Sequence, residues 1–494
     1  MKKIDWVIVI FLIAIFAWVF FFRLGWASLQ SYDEAWYAVI ARNIVQGHNP
    51  LVLWFNGKPF SDHPPLGFWL MALSYKLLGI SEFATRVPSA LMGIGSLVLT
   101  FLVGNTLINR RVGLMASVML GSSLWFVLRA RSGNLDVPLV FFYLLTIYFG
   151  LLYQHNRRLI IGLAIAFAGL LLVKTLVGAS AGIILLSIIG MSKYTWKQKF
   201  YDFIILSCGT VVLLLPWYGY NTLISHRFLY HHFVEIALRG GSLDAGQSAL
   251  LQQVLLYLHS GIGRWYSLAL LSIPAILIFG LKKLKATILL LTWLLVVGVP
   301  FLLSGKTEIW HLLPLYPPLF LTIGTAIYLF SSWLRRQGAH FFPKLFSQKK
   351  YLRLIIEATP VGLVFFLAVF QLRQVFPLVF PVDRYLPPVD QIAKIAGDLP
   401  GTLYLKDAVG PEVMYYSGKD VNSFGINPES FRMMKDFLGD ASASARLFIV
   451  PQNDLPTLTQ ERVPFSIVSE NTDYALISNQ ATPTGGSVYL PESQ

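Results

Sequence analysis

An α-helical, polytopic membrane protein ending in a small α/β domain is the architecture this sequence predicts. Three observations lead there. Of 494 residues, 55% are hydrophobic and 13% charged, with a mean hydropathy of +0.61, where a soluble domain carries about 25% charged residues. Apolar runs near the length of a bilayer span recur from about residue 4 to 376. Beyond about residue 383 they give way to short strand-like and helix-like runs.

The spans come first. A spanning helix needs about 20 apolar residues. Runs at about 4–23, 85–108, 112–129, 134–152, 159–174, 176–191, 201–221, 263–281, 286–304, 311–333 and 354–376 qualify, giving about 11 transmembrane helices. The first resembles a signal peptide, but its apolar stretch is too long and no small-residue cleavage site follows, so it is read as an uncleaved helix. The net charge of +14 is no sign of nucleic-acid binding. The basic residues sit in short clusters between apolar runs, as membrane topology requires. Lys2 and Lys3, Arg110 and Arg111, Arg157 and Arg158, then Lys193 to Lys199, Lys282 to Lys285 and Arg335 to Arg353 fall at every second loop. Eleven helices put all of them in the cytoplasm and the C-terminus outside a cell membrane. A single cysteine, Cys208, excludes an intramolecular disulfide framework.

The loops come next. The first external loop, about 24–84, holds an amphipathic run from Asp33 to Gln46 and an apolar run from Pro65 to Leu78. Both are placed at the interface, because a further span would invert every later loop. Another external loop, 222–262, is more polar than its neighbours. The chain therefore divides into a membrane domain, 1–382, and an external α/β domain, 383–494. In the latter, strands are expected at Thr402 to Leu405, Leu447 to Val450, Phe465 to Val468 and Tyr474 to Ile477, and helices at Val389 to Ala396 and Glu429 to Leu438. The last dozen residues are expected to be disordered.

The chemistry-bearing residues gather on the external side. Asp33 and Glu34 directly follow the first helix, where acids at membrane depth mark function or simply cap a helix. Asp62 and His63 precede Pro64-Pro65, a rigid entry to the next helix or a surface turn. Arg129, Arg131 and Asp136 surround one helical turn, as substrate contacts or as partners of each other and of lipid headgroups. Lys174 sits at a helix end, where a lone lysine is commonly a snorkelling anchor. The stretch from Gly305 to Pro317 brings Lys306, Trp310, His311 and Tyr316 together, alternatively as interfacial-belt residues. The cations among these make a possible phosphate-binding set.

The order Tyr-Asp-Glu-Ala-Trp-Tyr-Ala (32–38), His-Pro-Pro-Leu-Gly-Phe-Trp-Leu (63–70), Arg-Val-Pro-Ser-Ala (86–90), Leu-Asp-Val-Pro-Leu-Val-Phe-Phe (135–142), Val-Lys-Thr-Leu-Val-Gly (173–178) and His-Leu-Leu-Pro-Leu-Tyr-Pro (311–317) resembles the GT-C glycosyltransferases. These are the polyprenyl-phosphate-sugar-dependent enzymes related to protein O-mannosyltransferases and lipid A aminoarabinose transferases. The resemblance covers residues 1 to about 330. It implies a GT-C membrane domain and Asp33 as catalytic base, with Glu34 beside it and Asp136 orienting substrates. Donor-phosphate contacts are expected among His63, Arg131, Lys174, Arg239, Lys306, His311 and Tyr316. The usual lysine before Pro-Pro is His63 here, whose contact would weaken above its pKa. Some relatives bind a metal through an acid and a later histidine. Asp62 fits the first, but the second position is Ile236, leaving Asp62, His231, His232 and Glu235 as weak candidates for a possible divalent metal.

The expected reaction moves a sugar, with inversion, from a polyprenyl-phosphate donor to a hydroxyl of a lipid, glycan or protein. A carboxylate takes the hydroxyl proton and cations hold the anionic leaving phosphate. An O-antigen ligase or polymerase is the near alternative. A transporter would place charges in mid-helix and show repeated halves, and a scaffold would use the acids only as caps.

Overall fold

A computed structural model describes residues 3–30, 33–239, 247–279, 283–302, 308–341, 350–380, 386–406, 410–425, 428–439, 444–479 and 488–489. The first helix, α1 (Lys3–Phe21), is apolar on every side, as a lipid-facing span must be. It is followed by α2 (Asp33–Val45), whose first turn carries both acids where the helix dipole favours them. A hairpin of β1 (Leu53–Phe55) and β2 (Lys58–Phe60) turns through Asn56-Gly57. Both turn residues have positive φ, 48° and 69°, the geometry for which Asn-Gly is selected. Next, α3 (Leu66–Leu78) has 13 residues. At 1.5 Å per residue it reaches about 20 Å, short of a bilayer core of about 30 Å, in keeping with an interfacial helix.

The bundle continues through α4 (Glu82–Leu107), α5 (Arg110–Ser122), α6 (Leu124–Ala130), α7 (Asp136–Tyr153), α8 (Ile160–Val173), α9 (Thr175–Ala179), α10 (Ala181–Gly190) and α11 (Trp196–Ile224). Helices Gln247–Ile262, Trp265–Phe279, Leu284–Leu302, Tyr316–Phe341 and Lys350–Val379 complete it. The chain is thus a multi-pass membrane protein. Among the described residues, seven helices are long and apolar enough to cross a membrane, or eight if α5 and α6 count as one span bent by 70°. The other three expected spans are helical but shorter: α8, α9 with α10, and Trp265–Phe279.

The helical path is broken at two points. Ser123, in extended backbone, separates α5 from α6. Lys174, also extended, separates α8 from α9. Broken helices at membrane depth persist where protein or a cavity receives the freed backbone groups. At the end of the bundle that carries the basic loops, Asp5 pairs with Arg110 at 2.6 Å and Asp202 with Arg157 at 2.9 Å.

The C-terminal part forms a six-stranded sheet in the order β4-β3-β5-β7-β6-β8, from β3 (Thr402–Lys406), β4 (Val421–Phe424), β5 (Arg446–Pro451), β6 (Phe465–Glu470), β7 (Tyr474–Ser478) and β8 (Val488–Tyr489). The four expected strands and the two expected helices, Pro388–Gly397 and Pro428–Gly439, are present. β4 and the helix Pro411–Ser417 are additions, supplying the crossover that the parallel pair β3–β4 needs. Most of the last dozen residues lie outside the described ones; Val488–Tyr489 pair with β6.

This sheet is latched to the first long loop. One of its faces shares a continuous apolar core with α2, through Leu403, Leu405, Ile449 and Leu476 on one side and Ala38 and Ala41 on the other. The Asn56 side chain donates to the Val421 carbonyl and accepts from its N–H, both at 2.9 Å, so the β4 edge is closed by a side chain. Arg42 donates to the carbonyls of Met414 (2.6 Å) and Tyr415 (3.2 Å). Arg42→Ala is expected to weaken this seam by about 1.5–3 kcal/mol, the range for hydrogen bonds to a charged group. Limited proteolysis should then release a C-terminal fragment faster than in the wild type; an unchanged digest would refute it.

Candidate active site

The site is assembled from four separated stretches of chain. α2 presents Asp33, half-exposed, and Glu34, buried. α6 and the turn after it supply Arg129. α7 begins at Asp136, whose turn is held by Asn134, its side-chain oxygen accepting from the N–H groups of Asp136 and Val137. The break after α8 supplies Lys174.

Arg129 is the centre. Its guanidinium lies 3.3 Å from Asp33 and donates to Asp136 through Nε at 3.1 Å and Nη2 at 2.5 Å. Lys174 Nζ reaches the other Asp136 oxygen at 2.6 Å. Lys174 is therefore not a snorkelling anchor: it is an ion-pair partner turned inward by the interruption of its helix. Two cations, Arg129 and Lys174, thus meet two carboxylates, the buried Asp136 and the half-exposed Asp33, so the cluster balances its own charge.

Two cavities flank that bridge. The larger, about 520 Å³, is lined by Asp33, Gln30, Trp125, Arg129, Glu308 and Trp310 among others. The smaller, about 180 Å³, is lined by Asp62, His63, Asp136, Lys174, His232 and His311 among others. Asp136 faces one side and Arg129 the other, so their pair is the partition. His311 accepts from the Glu308 N–H through Nδ1 at 3.1 Å, which ties the walls of the two cavities together.

Glu34 differs from its expected place as a catalytic acid. One oxygen accepts from Arg86 Nε (2.8 Å) and the Gly133 N–H (2.7 Å), the other from Arg86 Nη2 (3.0 Å) and the Gln30 N–H (2.8 Å). Burial opposes its charge, but Arg86 and these hydrogen bonds outweigh burial and hold its pKa below the usual carboxylate value. This is a strut between α2, α4 and the α6–α7 turn. Arg86 also holds the Leu24, Ala27 and Ser28 carbonyls.

Arg131 is corrected as well. It donates to the carbonyls of Val19, Phe20 and Val379, capping two helix ends rather than facing the partition. Tyr316 is buried beside Gly261 and Phe320, lines neither cavity, and its hydroxyl has no partner among the described residues. Lys306 and the Arg239 side chain lie outside the described residues.

The weak metal candidates form a hydrogen-bonded chain instead. His231 bridges Asp62 (Nε2, 2.7 Å) and Glu235 (Nδ1, 2.6 Å). His232 has Nδ1 2.9 Å from the Ser61 carbonyl and Nε2 3.0 Å from Thr175 Oγ1. Both nitrogens of each ring are thus engaged by protein partners. No group of three or more His, Cys, Asp or Glu is placed to hold a metal among the described residues.

Burial, reinforced by the charge of Lys174, pushes the His63 imidazole down to about 3. Its ring is neutral at pH 7, so it offers a hydrogen bond to an anion and no charge, and the expected weakening above a near-neutral pKa does not arise. The unfolded chain takes up this proton near 6.5 and the folded chain only near 3. Stability should therefore fall as pH drops below 6.5, by up to about 1.4 kcal/mol per pH unit. His63→Gln should flatten that slope in thermal unfolding across this window; parallel profiles for variant and wild type would refute the assignment.

Tyr37, one helical turn after Asp33, was not singled out on sequence, although spacing i to i+4 puts it on the same face. Burial first, then the Asp33 and Asp136 charges, raise its phenol pKa well above 10, so it stays protonated among the acids.

The fold and the site together define a multi-pass membrane protein with broken helices and a carboxylate–guanidinium partition between two cavities. Residues 62–219 match the family model described as dolichyl-phosphate-mannose-protein mannosyltransferase. Over 348 residues the chain is 27% identical to undecaprenyl phosphate-alpha-4-amino-4-deoxy-L-arabinose arabinosyl transferase 1 of Pseudomonas fluorescens, covering 65% of this chain and 60% of that one. It is 30% identical over 141 residues to an uncharacterised protein of Aquifex aeolicus, covering 28% of each. The chain thus matches less than two thirds of the length of these curated relatives. The structure of ArnT from Cupriavidus metallidurans bound to undecaprenyl phosphate superposes with a TM-score of 0.76 at 16% identity, covering 98% of this chain and all of that one, so the fold is shared. Fold and matched segment together make the chain similar to polyprenyl-phosphate-dependent glycosyltransferases.

Proposed function

We propose that the protein transfers a sugar, with inversion, from a polyprenyl-phosphate-linked donor to the hydroxyl of an acceptor. The observation that carries this reading is the partition: Arg129 joins Asp33 on the large cavity to Asp136 on the small one, with Lys174 behind. The donor phosphate occupies the small cavity, held by the charge of Lys174 and by hydrogen bonds from neutral His63 and from His311. The acceptor hydroxyl enters the large cavity and gives its proton to Asp33 as its oxygen attacks the anomeric carbon. The departing phosphate leaves as an anion, so cations stabilise it and no acid need protonate it. Glu34 and Arg131 hold the scaffold. No step is assigned to a metal. The names of the arabinosyl transferase relatives, which specify an undecaprenyl-phosphate-linked aminosugar, support this donor class.

The same reading places the site on the extracytoplasmic face of the cell (inner or plasma) membrane, with the N-terminus in the cytoplasm. Its support is the segregation of charge: basic loops lie at the Asp5–Arg110 end of the bundle, and the cavities at the other. The test is to supply reconstituted protein with polyprenyl-phosphate-linked sugars and with extracts of envelope lipids and proteins. Transfer with anomeric inversion, read by mass spectrometry and NMR, is expected. Retention, or no transfer from any such donor in extracts of a strain lacking the gene, would overturn the reading.

A further inference from the structure

The mechanism leaves the aromatic wall of the large cavity unused. Trp125 on α6 and Trp310, in the short 3-10 turn Ile309–Leu315, stand with ring centroids 5.6 Å apart and planes tilted by 39°. Both are partly exposed, and both line the cavity of about 520 Å³. On sequence, Trp310 read equally well as an interfacial-belt residue; its placement on the cavity wall removes that reading. Its ring also lies under the Arg129 guanidinium, 5.1 Å from centroid to Cζ, so the wall is tied to the bridge that ends at Asp33. Glu308, two residues before Trp310, lines the same cavity together with Gln30 and Ser132.

We propose that Trp125, Trp310 and Glu308 form a subsite for a sugar ring, so that the acceptor is a carbohydrate hydroxyl of a glycan or glycolipid head, not a serine or threonine side chain. A pyranose has an apolar face of C–H bonds, weakly positive, which suits the negative face of an indole. Its rim of hydroxyls needs acceptors, and the carboxylate of Glu308 and the amide of Gln30 supply them beside the rings. The cavity volume lies in the range of about 300–1,000 Å³ typical of small-ligand sites, far more than a hydroxymethyl group requires. Lys174, the cation assigned to the donor phosphate, lines the other cavity, and Arg129 in this one is engaged by Asp33 and Asp136, so this cavity is left to the acceptor. That the bound sugar is an acceptor rests on the transferase reading; the sugar subsite is testable without it.

The full-length protein in nanodiscs is titrated with a panel of methyl hexosides, aminohexosides and pentosides, and separately with a threonine-containing peptide, following tryptophan emission. At least one glycoside is expected to give a saturable change. Trp310→Leu, Trp125→Leu and Glu308→Gln should each weaken it about tenfold, while Trp310→Tyr, which keeps an aromatic face, should weaken it much less. No response to any glycoside, saturable binding of the peptide lost in Trp310→Leu, or loss of the glycoside response in Lys174→Met, which would put the sugar in the small cavity, would each overturn the proposal. Glycoside binding intact in a protein that transfers no sugar would instead count against the transferase reading alone.

Discussion

Asp33→Asn is expected to lower sugar transfer by about 10²–10⁴-fold, the usual contribution of a general base, with folding and membrane insertion unchanged. Its side chain is half-exposed on the wall of the large cavity, where Arg129 approaches it to 3.3 Å. Asparagine has nearly the same shape and keeps an oxygen for Arg129. What it loses is the basicity needed to take a proton from the acceptor. The comparison is initial rate of product formation per mole of folded protein, with thermal unfolding measured on the same preparation. Transfer within a few-fold of wild type would remove Asp33 as the base. A large fall in unfolding temperature would make it a structural residue.

The neighbouring substitution should behave in the opposite way. Glu34→Ala is expected to destabilise the protein by about 3–5 kcal/mol, the cost of removing one partner from a buried ion pair. Arg86 would keep its charge with a side chain 5% exposed, and the Gly133 and Gln30 N–H groups would lose their acceptor. Any loss of activity should then track loss of folded protein. The readouts are the fraction eluting as a monodisperse species after extraction and the midpoint of thermal unfolding. A Glu34→Ala protein as stable as wild type but inactive would reverse the roles of the two acids.

That contrast shows where sequence reading stops. Asp33 and Glu34 are adjacent, both acidic, both in a first helical turn, and spacing gives no reason to treat them differently. On a helix, adjacent side chains point about 100° apart. One therefore meets Arg129 while the other meets Arg86, whose position depends on how α4 packs. The same holds for Arg129 and Arg131. Two residues apart, one bridges the acids and the other caps the ends of α1 and Lys350–Val379. The order of the motifs pointed to the right turn of chain without saying which guanidinium enters it.

The sequence by itself determined that this is a membrane bundle with an α/β tail, because composition and apolar run length are local, additive properties. Strand and helix positions in the tail were legible for the same reason; Asp33, Asp136, His63 and Lys174 stand out beside prolines or at helix ends, and the packed chain brings them to the walls of the two cavities. Tertiary structure alone decided that Ser123 and Lys174 interrupt their helices, that Lys174 pairs with Asp136 rather than snorkelling, and that Asn56 and Arg42 latch the tail onto the loop carrying Asp33. The Lys174 pair joins residues 38 apart in the chain, and the Arg42 bond to Met414 residues 372 apart. Only the packed chain brings such partners within hydrogen-bonding distance, and no local pattern records them.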